Sequence, residues 1–225
     1  MKNLFMLLAA CAMFLSQRAS AAIAPPDTAL AALLLDTGRV YYGEKDYEQA
    51  FKYFVKAADM GSSRAMSYVG YSYNVGEGVP EKDLKKAFDW YRKSAEAGDK
   101  EGQSNLGYMY LYAQGTTTDY KEARLWFEKS AAQDLASAQY YLGVIHDFGY
   151  GVDENDSIAV VYYKQAADQG YASAQYNLAV SYANGLGIAR DDTRAVYWYT
   201  QAANQGHASS QANLAFMYEK GTGVP

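Results

Sequence analysis

Apolar residues recur along this chain in two alternating patterns, both at helical spacing. In the clearer one, Ala87, Trp90, Tyr91, Ser94 and Ala95 fall at i, i+3, i+4, i+7 and i+8, one stripe on a helix. The stripe returns as Ala50, Tyr53, Phe54, Ala57, Ala58, then Ala123, Trp126, Phe127, Ser130, Ala131. It returns again as Ala159, Tyr162, Tyr163, Ala166, Ala167 and as Ala195, Trp198, Tyr199, Ala202, Ala203. Small residues let neighbouring helices approach, and rings fill the gap that is left. Four residues before each stripe stand Asp46, Asp83, Asp119, Asn155 and Asp191, side chains that accept from the free N–H groups of a first turn. Asp46 with Gln49 and Asp119 with Glu122 have capping-box spacing. After each stripe come Gly61, Gly98, Asp134, Gly170 and Gly206, where a helix ends through positive φ.

The second pattern is small, large, small, aromatic. It reads Ala65, Val69, Gly70, Tyr73; Gly102, Leu106, Gly107, Tyr110; Ala138, Leu142, Gly143, His146; Ala174, Leu178, Ala179, Tyr182; Ser210, Leu214, Ala215, Tyr218. Glycine inside a helix costs up to ~1 kcal/mol against alanine. Its recurrence at Gly70, Gly107 and Gly143 predicts close helix contact there. A loop joins the two helices: Gly76-Glu77-Gly78-Val79, Gly149-Tyr150-Gly151-Val152, Gly185-Leu186-Gly187-Ile188 and Gly221-Thr222-Gly223-Val224, with Ala113-Gln114-Gly115-Thr116 as the variant.

The segment 171–206 shifted onto 135–170 matches column by column, the mark of a stacked repeat. Units run over about 29–61, 62–98, 99–134, 135–170 and 171–206, with a partial one at 207–225. The Leu-Gly-x-x-Tyr helix, the Gly-x-Gly-Val loop, the capping Asp, the Ala-x-x-Trp-Tyr helix and the terminal Ala-Ala-x-x-Gly resemble Sel1-like repeats, relatives of tetratricopeptide repeats. The resemblance implies an all-α fold, a right-handed α-solenoid of antiparallel helix pairs. It also implies a binding scaffold for a protein or peptide partner, of the kind found in secreted and periplasmic bacterial assemblies, without catalysis. The alternative within the resemblance is a cell-wall or β-lactam-related binding protein or hydrolase. The subgroup linked to that chemistry carries a cysteine pair in each repeat, and this chain has none.

The first 21 residues change the picture. Lys2 precedes an uncharged apolar run from Leu4 to Leu15, and Ala19-Ser20-Ala21 follows as an Ala-x-Ala cleavage pattern. Residues 1–21 read as a secretory signal peptide and 22–28, with Pro25-Pro26, as a linker. Leu8-Ala9-Ala10-Cys11 offers the alternative of a lipoprotein anchored through Cys11. The apolar run is shorter than the ~20 residues a membrane span needs, and no later stretch reaches that length. Cys11 is the only cysteine, so a chain cleaved after Ala21 has no disulfide and no thiolate chemistry. Loss of Lys2 and Arg18 takes the formal net charge from −5 to −7, which argues against nucleic acid.

Candidate chemistry is sparse. The Gly-x-Gly loops follow a helix, recur four times and lack a Gly-Lys-Ser/Thr, so they read as turns rather than phosphate cradles. His146 occupies the Tyr73, Tyr110, Tyr182 and Tyr218 column, as a packing ring, and His207 precedes a first helix in another unit. No metal-ligand spacing, no Gly-x-Ser-x-Gly elbow and no cofactor motif appear, and Asp153-Glu154-Asn155-Asp156 precedes a helix start. What remains is the face of each first helix beside its buried stripe: Ser67, Tyr71, Asn74; Ser104, Tyr108, Leu111; Tyr140, Val144, Asp147; Tyr176, Val180, Ala183. By analogy with tetratricopeptide grooves it lines the concave surface, where Tyr71, Tyr108, Tyr140, Tyr176, Asn74 and Asp147 are the candidate partner-binding residues. The competing reading is that these side chains pack against the neighbouring helix. The last unit stops where a second helix is due. Either the chain continues past Pro225 with an Ala-x-x-Trp-Tyr-type helix, or the open end is covered by self-association or by a partner's helix.

Overall fold

The computed structural model describes residues 26–224. Among them are eleven helices and no strand. They are α1 (Pro26–Gly43), α2 (Tyr47–Asp59), α3 (Ser63–Val75), α4 (Leu84–Glu96), α5 (Lys100–Leu111), α6 (Tyr120–Ala131), α7 (Ala136–Asp147), α8 (Asp156–Asp168), α9 (Ala172–Asn184), α10 (Asp192–Asn204) and α11 (Ala208–Lys220). Odd-numbered helices from α3 onward carry the small–large–small–aromatic pattern and even-numbered ones the ring stripe. Each helix packs chiefly on its sequence neighbours, so the molecule is an α-solenoid of antiparallel pairs. α1 begins at Pro26, so 26–28 of the expected linker are helical. Proline suits a first helical position, where its missing N–H is not needed.

The second helices start at the predicted caps. Asp46, Asp83, Asp119, Asn155 and Asp191 each accept from the backbone N–H three residues on, at 2.9–3.1 Å. At Asp119 the capping box is not closed: the Glu122 carboxylate turns to accept from the Trp126 indole N–H at 3.1 Å. The helices end through Gly61, Gly98, Gly170 and Gly206 at φ 85–89°. At all four ends the residue after the glycine donates back, to Ala57, Ser94, Ala166 or Ala202.

Asp134 stands in that glycine column at φ 58°. A non-glycine residue there bears left-handed strain. The structure supplies an offset, because the Asp134 carboxylate accepts from Gln139 Nε2 and from Gln169 Nε2, both at 3.0 Å. Asp134→Gly therefore exchanges strain relief for two lost bonds and a more flexible unfolded chain. It should leave stability within about 0.5 kcal/mol of the parent, while Asp134→Ala, which keeps the strain and loses the bonds, should cost about 1–2 kcal/mol. Thermal scans of the two variants check the order.

Two glutamine columns tie together each of the units 99–134, 135–170 and 171–206 and join it to the one before. Gln133, Gln169 and Gln205 donate to Gln103, Gln139 and Gln175 at 2.7–2.9 Å. Gln103 and Gln175 donate in turn to the last-turn carbonyls of Ala95 and Ala167 in the preceding units, at 3.3 Å. These carbonyls are the ones a helix end leaves without an intrahelical donor.

The core is a column of rings, Phe54, Tyr91, Phe127, Tyr163 and Tyr199, all buried. Each faces a small residue of the first helix in its own unit. A Cβ on Gly38, Gly70, Gly107 or Gly143 would lie 2.5–3.0 Å from the ring of Phe54, Tyr91, Phe127 or Tyr163. The tryptophan column flanks this core half-buried, and Lys93 and Lys129 lie over Trp90 and Trp126 at 4.3 and 3.7 Å.

The interhelical loops are also packed. The first position is left-handed at Gly76, Gly149, Gly185 and Gly221, and Ala113 adopts φ 53° in the same column. The second glycine, at positions 78, 115, 151, 187 and 223, is left-handed too and lies against the first turn of the preceding unit's second helix.

Candidate functional site

First helices of adjacent units approach one another directly, α3 with α5 and α5 with α7, more than second helices do. From the second to the fourth unit this contact brings the first helices together on the inner side of the curve. On this side the core rings Phe54, Phe127 and Tyr199 are each covered by a residue of the following unit. Phe54 stacks on Tyr68 with centroids 4.6 Å apart, and Phe127 on Tyr141 at 4.9 Å. Over Tyr199 the covering residue is Asn213, which donates to its hydroxyl at 3.1 Å, whereas the Tyr163 hydroxyl donates to Asp147 of its own unit at 2.8 Å. A buried phenol requires such a partner, and a phenylalanine does not.

The six candidate residues do not converge on one spot. They form a row over four units, and the structure divides them. Tyr71 and Tyr108 share a column in consecutive units and are 39% and 38% exposed. Tyr140 is half-buried, with its ring against Tyr141, Tyr163 and Tyr171 at 5.1–6.0 Å. Burial pushes its phenol up to about 12. Tyr176 is half-buried between Tyr199 and His207. Asn74 is half-buried, and Asp147 accepts the Tyr163 hydroxyl at 2.8 Å. Burial raises the Asp147 carboxyl above its ordinary value, while the Tyr163 bond acts to lower it. Ser67, Ser104, Leu111 and Val144, named for the same face, are buried, so there the packing reading is the correct one.

Tyr112 extends the row and was absent from the sequence reading. It stands one turn after Tyr108, 42% exposed, and the two rings form a cluster with Tyr141 at 4.7–6.4 Å. The i, i+4 spacing from Tyr108 is the signal that marks it.

A hollow of about 140 Å³ opens on this face between the second and third units, lined by Arg64, Ser67, Tyr68, Tyr71, Glu101 and Asn105. Arg64 pairs with Glu101 and lies 3.5 Å from Asp99 Oδ2.

The two histidines serve packing and capping. His146 stacks on Tyr162 at 5.9 Å, and burial, then Arg124, lowers its pKa. His207 Nδ1 accepts from Ser210 N at 3.2 Å and caps α11. Among the described residues no three His, Cys, Asp or Glu side chains gather where they could hold a metal ion, and no helix is long and apolar enough to cross a membrane. The expected signal peptide, Cys11 and residues 22–25 of the linker lie outside the described residues.

A family model of the Sel1 repeat matches residues 28–62, 63–99, 100–135, 136–171, 172–207 and 208–225. A comparison with curated proteins finds no match. Among solved structures, a Sel1 repeat protein from Oxalobacter formigenes is 34% identical over 84% of this chain and 77% of its own, with a TM-score of 0.77. The protein c5321, a protective antigen present in uropathogenic Escherichia coli strains, is 32% identical over 85% of this chain, with a TM-score of 0.73. This chain spans 42% of its length. A Sel1 repeat protein from Klebsiella pneumoniae shares the fold at 21% identity, over 84% of this chain and 93% of its own, with a TM-score of 0.58. With six family repeats along nearly its whole length, and the ring, glycine and cap columns that build them, this chain belongs to the Sel1 repeat family.

Proposed function

We propose that this protein is an exported, non-catalytic scaffold that holds a protein or peptide partner along the inner face of its first helices. The observation that carries the reading is the pair Tyr71 and Tyr108, exposed at one column of consecutive units beside a fully packed core. A phenol offers broad apolar area with a polar tip and few rotors to freeze, which suits a recognition surface. Tyr112, Asn74 and Asn105 add area and amide groups along the same row. Export rests on the leader-like residues 1–21, and the description of the Escherichia coli relative as a protective antigen suits a protein outside the cytoplasm.

The test is quantitative capture from the native envelope fraction with the parent protein and with Tyr71→Ala/Tyr108→Ala. Hot-spot tyrosines are each worth about 2 kcal/mol or more, so the double variant should weaken recovery of the partner more than about tenfold. Its far-UV helicity should be unchanged, because both rings are substantially solvent-exposed. Unchanged capture by a folded variant would remove the inner face as the binding surface. Tyr140 and Tyr176 are poorer choices for this test, since their rings are more buried than those of Tyr71 and Tyr108.

A further inference from the structure

We infer that the tyrosine cluster where the third and fourth units meet on the inner face takes a proline-rich segment in the polyproline II conformation. The inference rests on the inner-face reading and names the chemistry of the partner.

Five rings form one chain of contacts there. Tyr112 meets Tyr108 at 4.7 Å, and both meet Tyr141, at 6.4 and 5.6 Å. Tyr141 meets Tyr140 at 5.1 Å, and Tyr140 meets Tyr171 at 5.2 Å. They come from three consecutive rows: the end of α5, the first half of α7 and the residue before α9. Successive ring planes are inclined at 42–71°, so the rings bound clefts instead of a flat platform.

The hydroxyls set this cluster apart. Other phenols of the same rows have protein partners: Tyr42 donates to Glu77 at 2.9 Å, Tyr163 donates to Asp147 at 2.8 Å, and Tyr199 accepts from Asn213 at 3.1 Å. Among the described residues no protein group bonds any of the five cluster hydroxyls. The oxygens of Tyr140, Tyr141 and Tyr171 are not sealed from the surface, and Tyr108 and Tyr112 are exposed. Burial raises the Tyr112, Tyr141 and Tyr171 phenols, and at Tyr141 the phenols of Tyr171, Tyr112, Tyr108 and Tyr140 add to the effect, so the oxygens gather as protonated donors. Five partly buried donors without a protein acceptor are an exception that the packing of the fold does not explain.

A ligand for such a wall must bring acceptors. A polyproline II segment does: its carbonyls make no internal bond, and each proline lacks an N–H that would need an acceptor in return. A helix has spent its carbonyls on itself, and an ordinary strand brings N–H groups that only phenol oxygens could meet. The flat pyrrolidine ring is an apolar wedge of the right size for a cleft between inclined phenol rings. The repeat matches as well. One polyproline II turn is three residues and ~9 Å long. Helices in contact lie about 8–10 Å apart, so prolines three residues apart fall on successive first helices.

The test uses fluorescein-labelled nonapeptide pools, blocked at both ends, with proline or alanine at every third position and random residues between. Binding to the whole protein is read by anisotropy. The proline pool should bind about tenfold tighter than the alanine pool. Tyr112→Phe/Tyr141→Phe keeps both rings and removes two donors that have no protein partner. It should leave the thermal midpoint unchanged and weaken the proline pool about tenfold, to the level of the alanine pool. Equal binding of the pools, no binding of either, or parental binding of the proline pool by the phenylalanine variant overturns the inference. Tighter binding of chitohexaose than of the proline pool would give the rings to a sugar, and self-association lost in Tyr108→Ala/Tyr112→Ala would give them to a second copy; either result overturns it too. Capture from the envelope fraction separates this inference from the reading beneath it. Capture lost in Tyr71→Ala/Tyr108→Ala, with no preference for proline, leaves the inner face standing and removes only the proline-rich partner. Capture unchanged in that variant removes both.

Discussion

Gly143→Val is expected to lower the thermal midpoint by roughly 6–12 °C, a loss of about 3 kcal/mol for a chain of this size. Gly143 lies in the middle of α7 with the Tyr163 ring flat against it. A Cβ there would sit 2.5 Å from Tyr163 Cδ1, and valine adds two methyl groups beyond that. The ring has little room to retreat. It is buried, its hydroxyl is held by Asp147, and Tyr140 packs against it. α7 must then move off α8, and both lie in the middle of the stack, so the strain reaches two junctions. The control is Gly143→Ala. Ala179 stands in the same column of the next unit, against Tyr199, so a single methyl can be absorbed by a small shift of the ring. That variant should cost about 1 kcal/mol. Equal midpoints for Gly143→Val and the parent would show that the helix pair is looser than its geometry.

Gly187→Ala should cost about 2–4 kcal/mol, against about 1 kcal/mol for Gly206→Ala, although both glycines are left-handed. Their φ values are 65° and 85°. The difference is space. A Cβ on Gly206 meets nothing within 4 Å. One on Gly187 falls on the backbone carbonyl of Asp156, in the first turn of α8, one unit earlier. A side-chain tip can swing aside and a helix backbone cannot. Gly206→Ala therefore reports the left-handed penalty alone, and Gly187→Ala reports that penalty plus a displaced loop. The displaced loop also loses the Ser157 Oγ bond to the Gly187 carbonyl, at 3.2 Å. Denaturation of the two variants under one condition gives the comparison, and hydrogen exchange should show extra opening at the first turn of α8 for Gly187→Ala only.

Much of this architecture is legible in the chain because its causes are local. Asp83 or Asp191 caps a helix through a bond three residues long. Gly98 and Gly170 end one through their own φ. The ring and glycine columns repeat, so each unit checks the reading of the last. What is not legible depends on the next unit. Tyr140 and Tyr71 are both tyrosines on the same predicted face, yet Tyr140 meets Tyr171, a loop residue of the following repeat, and is half-buried, while Tyr71 keeps 39% of its surface exposed. The glutamine pairs were missed for the same reason: Gln133 and Gln103 make sense only when columns are compared across a helix pair. Glu122 shows the local rule losing, since a capping-box partner was drawn off by the Trp126 indole one turn away. The hollow at Arg64 and Glu101 was invisible, because its charge balance arises where two units meet.

The matched covering of the core rings makes these units unequal as building pieces. A repeat protein grows and shrinks by whole-unit duplication and loss, and here each junction sets a condition on which losses fit. Excising 171–206 would bring Tyr163 under Asn213, a phenol under an amide, the pairing already used at Tyr199. Excising 135–170 would bring Phe127 under Asn177, an amide with no hydroxyl to bond. Excising 99–134 would seat Tyr91 under Tyr141, where Phe127 now stacks without a polar group to satisfy. Excising 62–98 and 99–134 together would return a phenylalanine, Phe54, to Tyr141. Which units can be lost without leaving a ring or an amide unmatched is thus set at their edges.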